Sequence, residues 1–386
     1  MKTYLKKIFR GNLRISIICI VSFIVLLSVG RAFQQAQIIS FDFHFSNAKL
    51  IYEGINHYQY ILDGKHDHGP NDRIMYEQNG NYAQGLFVML LPFTLMEWDE
   101  AKFLWSILNI FIAIITCIIL CNKFNLSKFS TFLVCSIFLS STIFRIHIAY
   151  GQQTLLMFVF LILPFLKYNR LNIILSGVAF FKYNIGYGLF LYFLSLRKIT
   201  NIFLSLIPLL IGWILYCLIT NTSLLENLLE PLKVILYWNS FSGHFPVTIF
   251  SLLEIFNIPS FLILILPLLI SFIIINKIKY ENNDLKKLSI LCLCILAFAP
   301  HQLHDYVLLI PLLIFSIKNI DSSISKINLL FIFYFFYFLR IVSFIYGIQP
   351  WEFPYGNFGY FNNFLTISMI FLNLYFYKIT NKKKIS

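Results

Sequence analysis

Long apolar runs separated by short basic clusters are the feature that most constrains this chain. Of its 386 residues, 59% are apolar and only 12% are charged, whereas a soluble globular protein carries about 25% charged residues. This composition excludes a soluble enzyme, a disordered chain and a disulfide-stapled secreted domain. We therefore predict an all-α polytopic membrane protein, with residues 1–386 forming a single integral membrane domain.

The basic residues indicate how the predicted helices are oriented. Lysine and arginine outnumber aspartate and glutamate by 30 to 17, which gives a net charge of +13 and in a soluble chain would favour nucleic-acid binding. Here the basic residues lie between apolar runs, so they mark cytoplasmic loops, and we expect no nucleic-acid partner. The basic segment from Lys2 to Arg14 precedes the apolar run from Ile15 to Val29, which predicts an uncleaved first helix that starts in the cytoplasm.

The other basic clusters divide the chain into pairs of apolar runs that cross the membrane and return. One run, 83–97, is short and contains Pro92, so it predicts a re-entrant or interfacial helix before the spanning run 100–121. This reading gives about 12 transmembrane helices, with both termini cytoplasmic. The pairs are 129–148 with 153–166, 171–181 with 184–196, 200–220 with 258–276, 287–300 with 304–317, and 325–347 with 360–378.

The polar residues that orientation does not explain collect on one side of the membrane. In the predicted topology, residues 34–82 form the first extracytoplasmic loop, 83–320 the transmembrane core, and 321–386 the C-terminal helices with a basic cytoplasmic tail. All eight histidines then lie outside or at that membrane boundary. One-sided clustering favours an extracytoplasmic active site at the boundary over a transport path through the membrane.

Neither the cysteines nor the paired histidines of the first loop predict a metal site. All seven cysteines lie inside apolar stretches, which is typical of small core residues. His66-Asp67-His68 lies among turn residues, and its two histidines alternate rather than share a helical face. These residues therefore do not indicate a metal site.

Asp42 is the first candidate for chemistry. It lies among aromatic residues a dozen positions after the first apolar run, where a low dielectric would raise the pKa of a carboxylate and make it a competent general base. The alternative interpretation is an N-cap for a helix over 43–53, which the residues alone favour over catalysis. Both interpretations stay open on sequence alone.

Lys182 and two histidines are the next candidates. Lys182 interrupts the apolar stretch 171–196 with no acid nearby in sequence, so it either reaches the interface or faces water, a partner charge or a bound anion such as a lipid phosphate. His301 and His304 are three apart after Pro300, which would place them on one helical face. Paired histidines can bind phosphate oxygens, a sugar or a metal, and Asp305 can cap the following helix.

Five segments in order carry a family resemblance. They are SNAKLIYEGINHYQY, YAQGLFVMLLPFTLMEWDEAKFLWSILNIF, RIHIAYGQQTLLMFVFLILPF, LSGVAFFKYNIGYGLFLYFLSLRK and FAPHQLHDYVLLIPLL, preceded by the aspartate after the first helix. This order resembles the GT-C-fold membrane glycosyltransferases, most closely glycosyltransferase family 87, over residues of about 35 to 315. The resemblance implies a GT-C-like fold with extracytoplasmic juxtamembrane helices.

The resemblance also implies roles for single residues. Asp42 matches the family's general base, Lys182 its conserved lysine, although Tyr183 replaces the proline that often follows, and Gly151-Gln152 its glycine-glutamine motif, with Thr154 at the asparagine position. Lys182, His301 and His304 are therefore expected to bind the donor phosphate. The expected substrate-binding residues are His44, Tyr82, Gln152, His147 and His244.

The function that the resemblance implies is glycosyl transfer from a polyprenyl-phosphate sugar to a lipid-linked or glycan acceptor, in contact with membrane lipids. Because such a donor carries no nucleotide pyrophosphate that needs a metal ion, we expect no metal ion and no cofactor. A lipid-linked-sugar flippase or transporter is an alternative, but it predicts polar residues in both halves of the membrane and internal repeats, which the sequence lacks. An O-antigen-type polymerase is another, but its outer-loop arginines are missing, since Arg73 is the only clear arginine in those loops.

Overall fold

The computed structural model of the protein describes residues 2–65, 80–242, 260–299, 301–346 and 356–385. The structure is 84% helical, and no strand occurs in the described ranges, which is the architecture of a helical membrane protein. The α-helices are α1 (Lys2–Ile38), α2 (Phe45–Tyr52), α3 (His57–Leu62), α4 (Gln84–Leu90), α5 (Trp98–Lys123), α6 (Lys128–Leu139), α7 (Thr142–Tyr150), α8 (Thr154–Leu166), α9 (Arg170–Ser176), α10 (Tyr183–Ser195), α11 (Ile199–Thr220), α12 (Leu224–Asn227), α13 (Glu230–Ser242), α14 (Ser260–Ile278), α15 (Asp284–Phe298), α16 (Ile310–Lys318), α17 (Ser323–Phe333), α18 (Leu339–Tyr346) and α19 (Gly356–Ile385).

Three helices are long and apolar enough to cross a membrane within the described part of the chain. They are the Ile15–Ile38 portion of α1, α5 and α11, and a fourth span results if α6 and α7, bent by 58°, are taken together. The predicted count of about 12 spans is not confirmed. The reason is helix length: α8, for example, has 13 residues, whereas a span needs about 20.

The run predicted as a short helix over 83–97 is indeed broken. Helix α4 ends at Leu90, and a 3₁₀ turn, Leu91–Leu95, follows with Pro92 in its first positions. Proline lacks the amide hydrogen that would continue the α-helical ladder, so the α-helix stops here. Whether this element is re-entrant or interfacial remains a prediction.

The stretch around Lys182 is also interrupted. After α9, a 3₁₀ turn runs over Gly177–Phe181, and Lys182 then adopts an extended conformation before α10. The turn lies against α11 so closely that a Cβ atom on Gly177 would come within 1.8 Å of the Ser205 carbonyl oxygen. Only glycine allows this approach, and the resulting break brings the Lys182 side chain into the interior.

Helix α15 forms the centre of the core. Every residue from Leu288 to Ala299 is buried, and the helix packs against α10, α16 and α19. A 3₁₀ helix, Leu303–Leu309, follows it and packs against α7, α8 and α15. Five cysteines are buried in helices as predicted, and all seven are free: Cys117, Cys121, Cys217, Cys292 and Cys294 are buried, Cys135 is intermediate and Cys19 is exposed.

Candidate active site

Asp42 lies in a 3₁₀ turn, Phe41–Phe43, that is held in an unusual conformation. Ser40 and His44 flank the turn, and both are left-handed, with φ angles of 43° and 60°. The left-handed conformation is about 1 kcal/mol less favourable for residues other than glycine. The Ser40 amide donates to the Ala149 carbonyl at 2.9 Å and its hydroxyl donates to the Ala36 carbonyl at 2.6 Å. These tertiary hydrogen bonds stabilise the strained turn.

The interpretation of Asp42 as an N-cap is wrong. Helix α2 begins at Phe45 rather than 43, its N-cap residue is His44, and no side chain caps it. Asp42 belongs to the preceding turn, because the left-handed conformation of His44 separates that turn from the helix. The carboxylate is therefore not used to cap α2.

Aromatic packing holds the Phe41–Phe43 turn in place. The Phe43 ring stacks on Trp105 with ring centroids 4.9 Å apart, and the Trp105 indole N–H donates to the Gly151 carbonyl at 2.8 Å. Gly151 ends α7 with a φ of 70°, and a Cβ atom there would lie 3.1 Å from the Phe43 Cβ. Glycine at this position lets the two turns pack against each other.

The residues after Gly151 bind Asp42 directly. The Gln152 side-chain amide donates to the Asp42 carboxylate, and the Gln153 side-chain amide donates to the Asp42 main-chain carbonyl. Both glutamines are buried, whereas Asp42 is only half-buried. The structure thus brings together two sequence-predicted residues, Asp42 and Gln152, and adds Gln153, which sequence reasoning missed.

Lys182 has the acidic partner that its sequence neighbourhood lacks. Its ammonium group lies 2.7 Å from Asp305 Oδ1, and both side chains are only 3% exposed. The same nitrogen donates to Thr154 Oγ1 at 2.6 Å and to Gln152 Oε1 at 3.4 Å. Of the environments expected for Lys182, a partner charge is the one observed, since Asp305, distant in sequence, neutralises it inside the protein. Binding of the donor phosphate by Lys182 stays a prediction.

Asp305 does more than cap a helix. Its Oδ2 accepts the Gln302 amide at 3.1 Å, which is the predicted capping role, and also lies 3.3 Å from the Asn184 side-chain amide. Its Oδ1 accepts the Thr154 hydroxyl as well as Lys182. Asp305 and Thr154 were not predicted as site residues. In the sequence, Thr154 is notable only at the asparagine position of the family's motif and Asp305 only as a helix cap.

The two predicted histidines do not share a helical face. The 3₁₀ helix begins at Leu303 with Gln302 as its N-cap, so His301 precedes it. His301 Nδ1 donates to the Ala299 carbonyl at 3.2 Å, while His304 Nε2 lies 3.6 Å from Asp305 Oδ1. Both rings are buried, and only His304 borders the lysine–aspartate pair directly.

His44 and Tyr82 lie on the Asp42 side of this cluster. Their rings meet edge to face with centroids 4.9 Å apart, and the Tyr82 ring lies 5.7 Å from the Lys182 ammonium group. The Asn47 side-chain amide is 3.4 Å from His44 Nδ1, and His44 Nε2 has no hydrogen-bonding partner among the described residues. Burial, together with the nearby Lys182 charge, lowers the pKa of His44 to about 3, so this ring is neutral at pH 7.

The remaining residues predicted to bind substrate are His147 and His244. His147 is buried in α7, within electrostatic range of His304, Lys182 and Asp305. His244 lies outside the described residues, as do Pro300 and the His66-Asp67-His68 segment. Within the described ranges, no group of three or more histidine, cysteine, aspartate or glutamate side chains is arranged to hold a metal ion.

The site is thus a connected chain of polar side chains from distant parts of the sequence. Asp42, Gln152, Lys182 and Asp305 are joined in that order by hydrogen bonds. This network of side chains has the half-buried Asp42 carboxylate at one end and the buried Lys182 ammonium group, neutralised by Asp305, further inside the protein. No protein-family model, no curated protein sequence and no solved structure matches the chain.

Proposed function

We propose that the protein is an integral membrane glycosyltransferase. The reaction moves a hexose or pentose, with a mannose-like sugar favoured, from a polyprenyl-phosphate sugar to a lipid-linked or glycan acceptor. The observation that carries this proposal is the convergence of Asp42, Gln152, Lys182 and Asp305, since these residues are joined in one polar network. A carboxylate base beside a cation is what hydroxyl attack on a phosphate-activated sugar requires.

In this proposal Asp42 is the general base. The acceptor hydroxyl oxygen attacks C1 of the sugar, its proton passes to the Asp42 carboxylate, and the C1–O bond to the lipid phosphate breaks. The bonding electrons leave with the phosphate oxygen. Attack from the face opposite the leaving oxygen inverts the configuration at C1. The hydrogen bond from Gln152 orients the carboxylate for this step.

The leaving phosphate gains negative charge and is stabilised by positive charge and N–H donors. Lys182 acts on this phosphate only through space and only as part of its neutral pair with Asp305, because its hydrogens are bonded within the protein. Since Asn47 occupies His44 Nδ1, a neutral His44 carries its proton on the buried Nε2, where it can donate to a phosphate or a sugar hydroxyl. This donor has no acceptor among the described residues.

His301 and His304 are assigned to the donor sugar-phosphate. Because His301 Nδ1 donates to Ala299, its neutral ring presents Nε2 as an acceptor. That arrangement suits a sugar hydroxyl, and His301 donates to the phosphate only in its protonated form. His304, beside Asp305, borders the same region. The active site is placed at the extracytoplasmic face of the cell membrane, with both termini cytoplasmic.

The test is sugar transfer in liposomes containing the purified protein and a radiolabelled polyprenyl-phosphate sugar. Asp42→Asn keeps the size of the side chain but cannot accept the proton, so the rate should fall by about 10²–10⁴. Asp99→Asn is the matched control, because Asp99 is an 88% exposed carboxylate away from the network. An Asp42→Asn rate close to that of the wild type would overturn the proposal.

A transporter of lipid-linked sugars is the second candidate, favoured by the buried Lys182–Asp305 pair. Paired charges inside a membrane protein often mark an ion or substrate path. The same liposomes separate the two functions. Movement of the labelled lipid between leaflets without formation of a glycosylated product would support the transporter and contradict the transferase.

A further inference from the structure

The ammonium group of Lys182 has no hydrogen left for a ligand in this structure. A lysine has three N–H donors and no acceptor. Asp305, Thr154 and Gln152 accept one each, at 2.7, 2.6 and 3.4 Å. A donor phosphate could bind this nitrogen only by displacing one of them. Lys182 is therefore built into the protein's own network.

The position of Gln152 between Lys182 and Asp42 determines how its amide must be oriented. The lysine can only donate a hydrogen bond, and the Asp42 carboxylate can only accept one. The amide must therefore turn its oxygen toward Lys182 and its nitrogen toward Asp42, as observed. If the Gln152 amide were flipped, its N–H groups would face the Lys182 ammonium group and its oxygen would face the Asp42 carboxylate. Both contacts would be repulsive. The lysine thus selects the orientation that supports Asp42.

Asp305 in turn holds the lysine. Its Oδ1 accepts Lys182 and Thr154, and its Oδ2 accepts the Gln302 main-chain amide. These contacts come from three separate elements, so the carboxylate has little freedom to rotate. A buried lysine without this partner would be costly. Asp305 therefore locates the positive charge that orients Gln152.

We propose that Asp305 and Lys182 are positioning residues, which orient the Gln152 amide and through it hold the Asp42 carboxylate. Neither needs to touch the substrate for this role. The kinetic consequence rests on the proposed transferase function, because it requires Asp42 to act as the base. The structural consequence, a change at the Asp42 carboxylate when Lys182 and Asp305 are removed, does not depend on any activity.

The experiment compares three variants of the full-length protein in lipid. Gln152→Met removes the amide. Lys182→Met with Asp305→Asn removes both charges together, so that no unpaired charge is left buried. The third variant combines all three substitutions. The control is Lys102→Met with Asp99→Asn, which removes both charges of a 2.7 Å ion pair whose aspartate is 88% exposed.

The first readout is the infrared carboxylate band of Asp42 in ¹³C-aspartate-labelled protein. The band is identified in each background by subtracting the spectrum of the same protein carrying Asp42→Asn. We expect Gln152→Met and the Lys182→Met/Asp305→Asn variant to shift this band alike, and the Lys102→Met/Asp99→Asn control to leave it in place. An Asp42 band that Lys182→Met/Asp305→Asn leaves unchanged would overturn the positioning role, whatever the activity.

The second readout is the division of the kinetic effect between kcat and KM for the polyprenyl-phosphate sugar. Positioning predicts that both variants lose about tenfold or more in kcat with KM changed less than about twofold, and that the triple variant is no worse than the poorer of the two. A raised KM with unchanged kcat would identify Lys182 as a phosphate ligand. If the loss of kcat in the triple variant equalled the product of the losses in the other two variants, Lys182 would act independently of Gln152. Either result overturns the proposal. Wild-type protein without transfer activity would refute the transferase function alone, since the infrared result stands by itself.

Discussion

Lys182 Nζ and Asp305 Oδ1 lie 2.7 Å apart although 123 positions separate the two residues in the chain. Both side chains are almost fully buried, and the hydroxyl of Thr154 bonds to both of them. A buried ion pair of this kind is weak evidence for stability as such, but removing one partner leaves an uncompensated charge in the interior. The two residues are therefore expected to depend on each other.

Lys182→Met alone should destabilise the protein by about 3–5 kcal/mol, because the Asp305 carboxylate loses its counter-charge. Adding Asp305→Asn should restore most of this loss. The measurement is thermal unfolding in detergent. Asp99→Asn is the control, since Asp99 is an exposed member of an ion pair, and it should cost about 1 kcal/mol or less. Equal losses in the single and double variants would show that the charges are not coupled.

Gly151→Ala should displace the turn that carries Asp42. The substitution forces alanine into a φ of 70° and sets its Cβ 3.1 Å from the Phe43 Cβ. The backbone is then strained, and the close contact pushes Phe43 away. Gly64→Ala is matched to it, with a φ of 72° but nothing within 4 Å. Each should lose about 1 kcal/mol of stability, but only Gly151→Ala should also lower sugar transfer. Equal transfer rates in the two variants would contradict the role of this packing.

His44→Phe should lower sugar transfer by about tenfold, the worth of one hydrogen bond of about 1.4 kcal/mol in the transition state. Phenylalanine keeps the edge-to-face contacts with Tyr82 and Phe87 but lacks the Nε2 donor. His44→Gln, which retains an N–H group, is the comparison and should lose less. Transfer assays at saturating acceptor measure both. If the phenylalanine variant is as active as the wild type, His44 does not bind substrate.

Acidification should destabilise the protein through His57. Burial lowers the pKa of His57 to about 3, and its ring faces Tyr216, the Gly80 carbonyl, Tyr58 and His44. The unfolded histidine takes up a proton below about pH 6.5 while the folded one does not, so stability is lost as the pH falls from about 6.5 toward 3. Between pH 7 and pH 5 the loss is about 2 kcal/mol for one such histidine.

His57→Phe tests this pH dependence. Unfolding temperatures are measured in detergent at pH 7 and pH 5 for the wild type and the variant. The variant is expected to be less stable at pH 7, because Tyr216 loses one of its two hydrogen-bonding partners and the Gly80 carbonyl loses its donor, but to lose less stability between the two pH values. An unchanged difference between pH 7 and pH 5 would mean that His57 is not the titrating group.

The orientation of the chain is tested by cysteine labelling in intact cells. Asn71→Cys, which lies outside the described residues, should react with an impermeant reagent added from outside, and Asn283→Cys should not. Asn283 caps α15 by accepting the Lys286 amide, so its replacement costs about 1 kcal/mol. Outside labelling at Asn283→Cys would reverse the predicted topology.

The sequence was a good guide to which residues meet and a poor guide to how they meet. Asp42, Gln152, Lys182 and His304 were all chosen from the sequence, and the structure places them in or beside one network. The capping role of Asp42 and the shared helical face of the two histidines were wrong, and the sequence did not show which residue is the partner of Lys182. Each of these errors came from local spacing, which says nothing about a partner more than 100 positions away.

Composition and the order of polar residues were enough to determine that this chain forms apolar helices and that a few polar side chains lie among them. Those properties follow from transfer free energies, which each residue carries by itself. The tertiary structure alone decided that Asp305 neutralises Lys182, that Gln152 turns its amide nitrogen toward Asp42, and that the helices break at Gly177 and Gly151. These features depend on close contact between distant segments, because a buried charge or a bridging amide gains its favourable energy only when its partner is already in place.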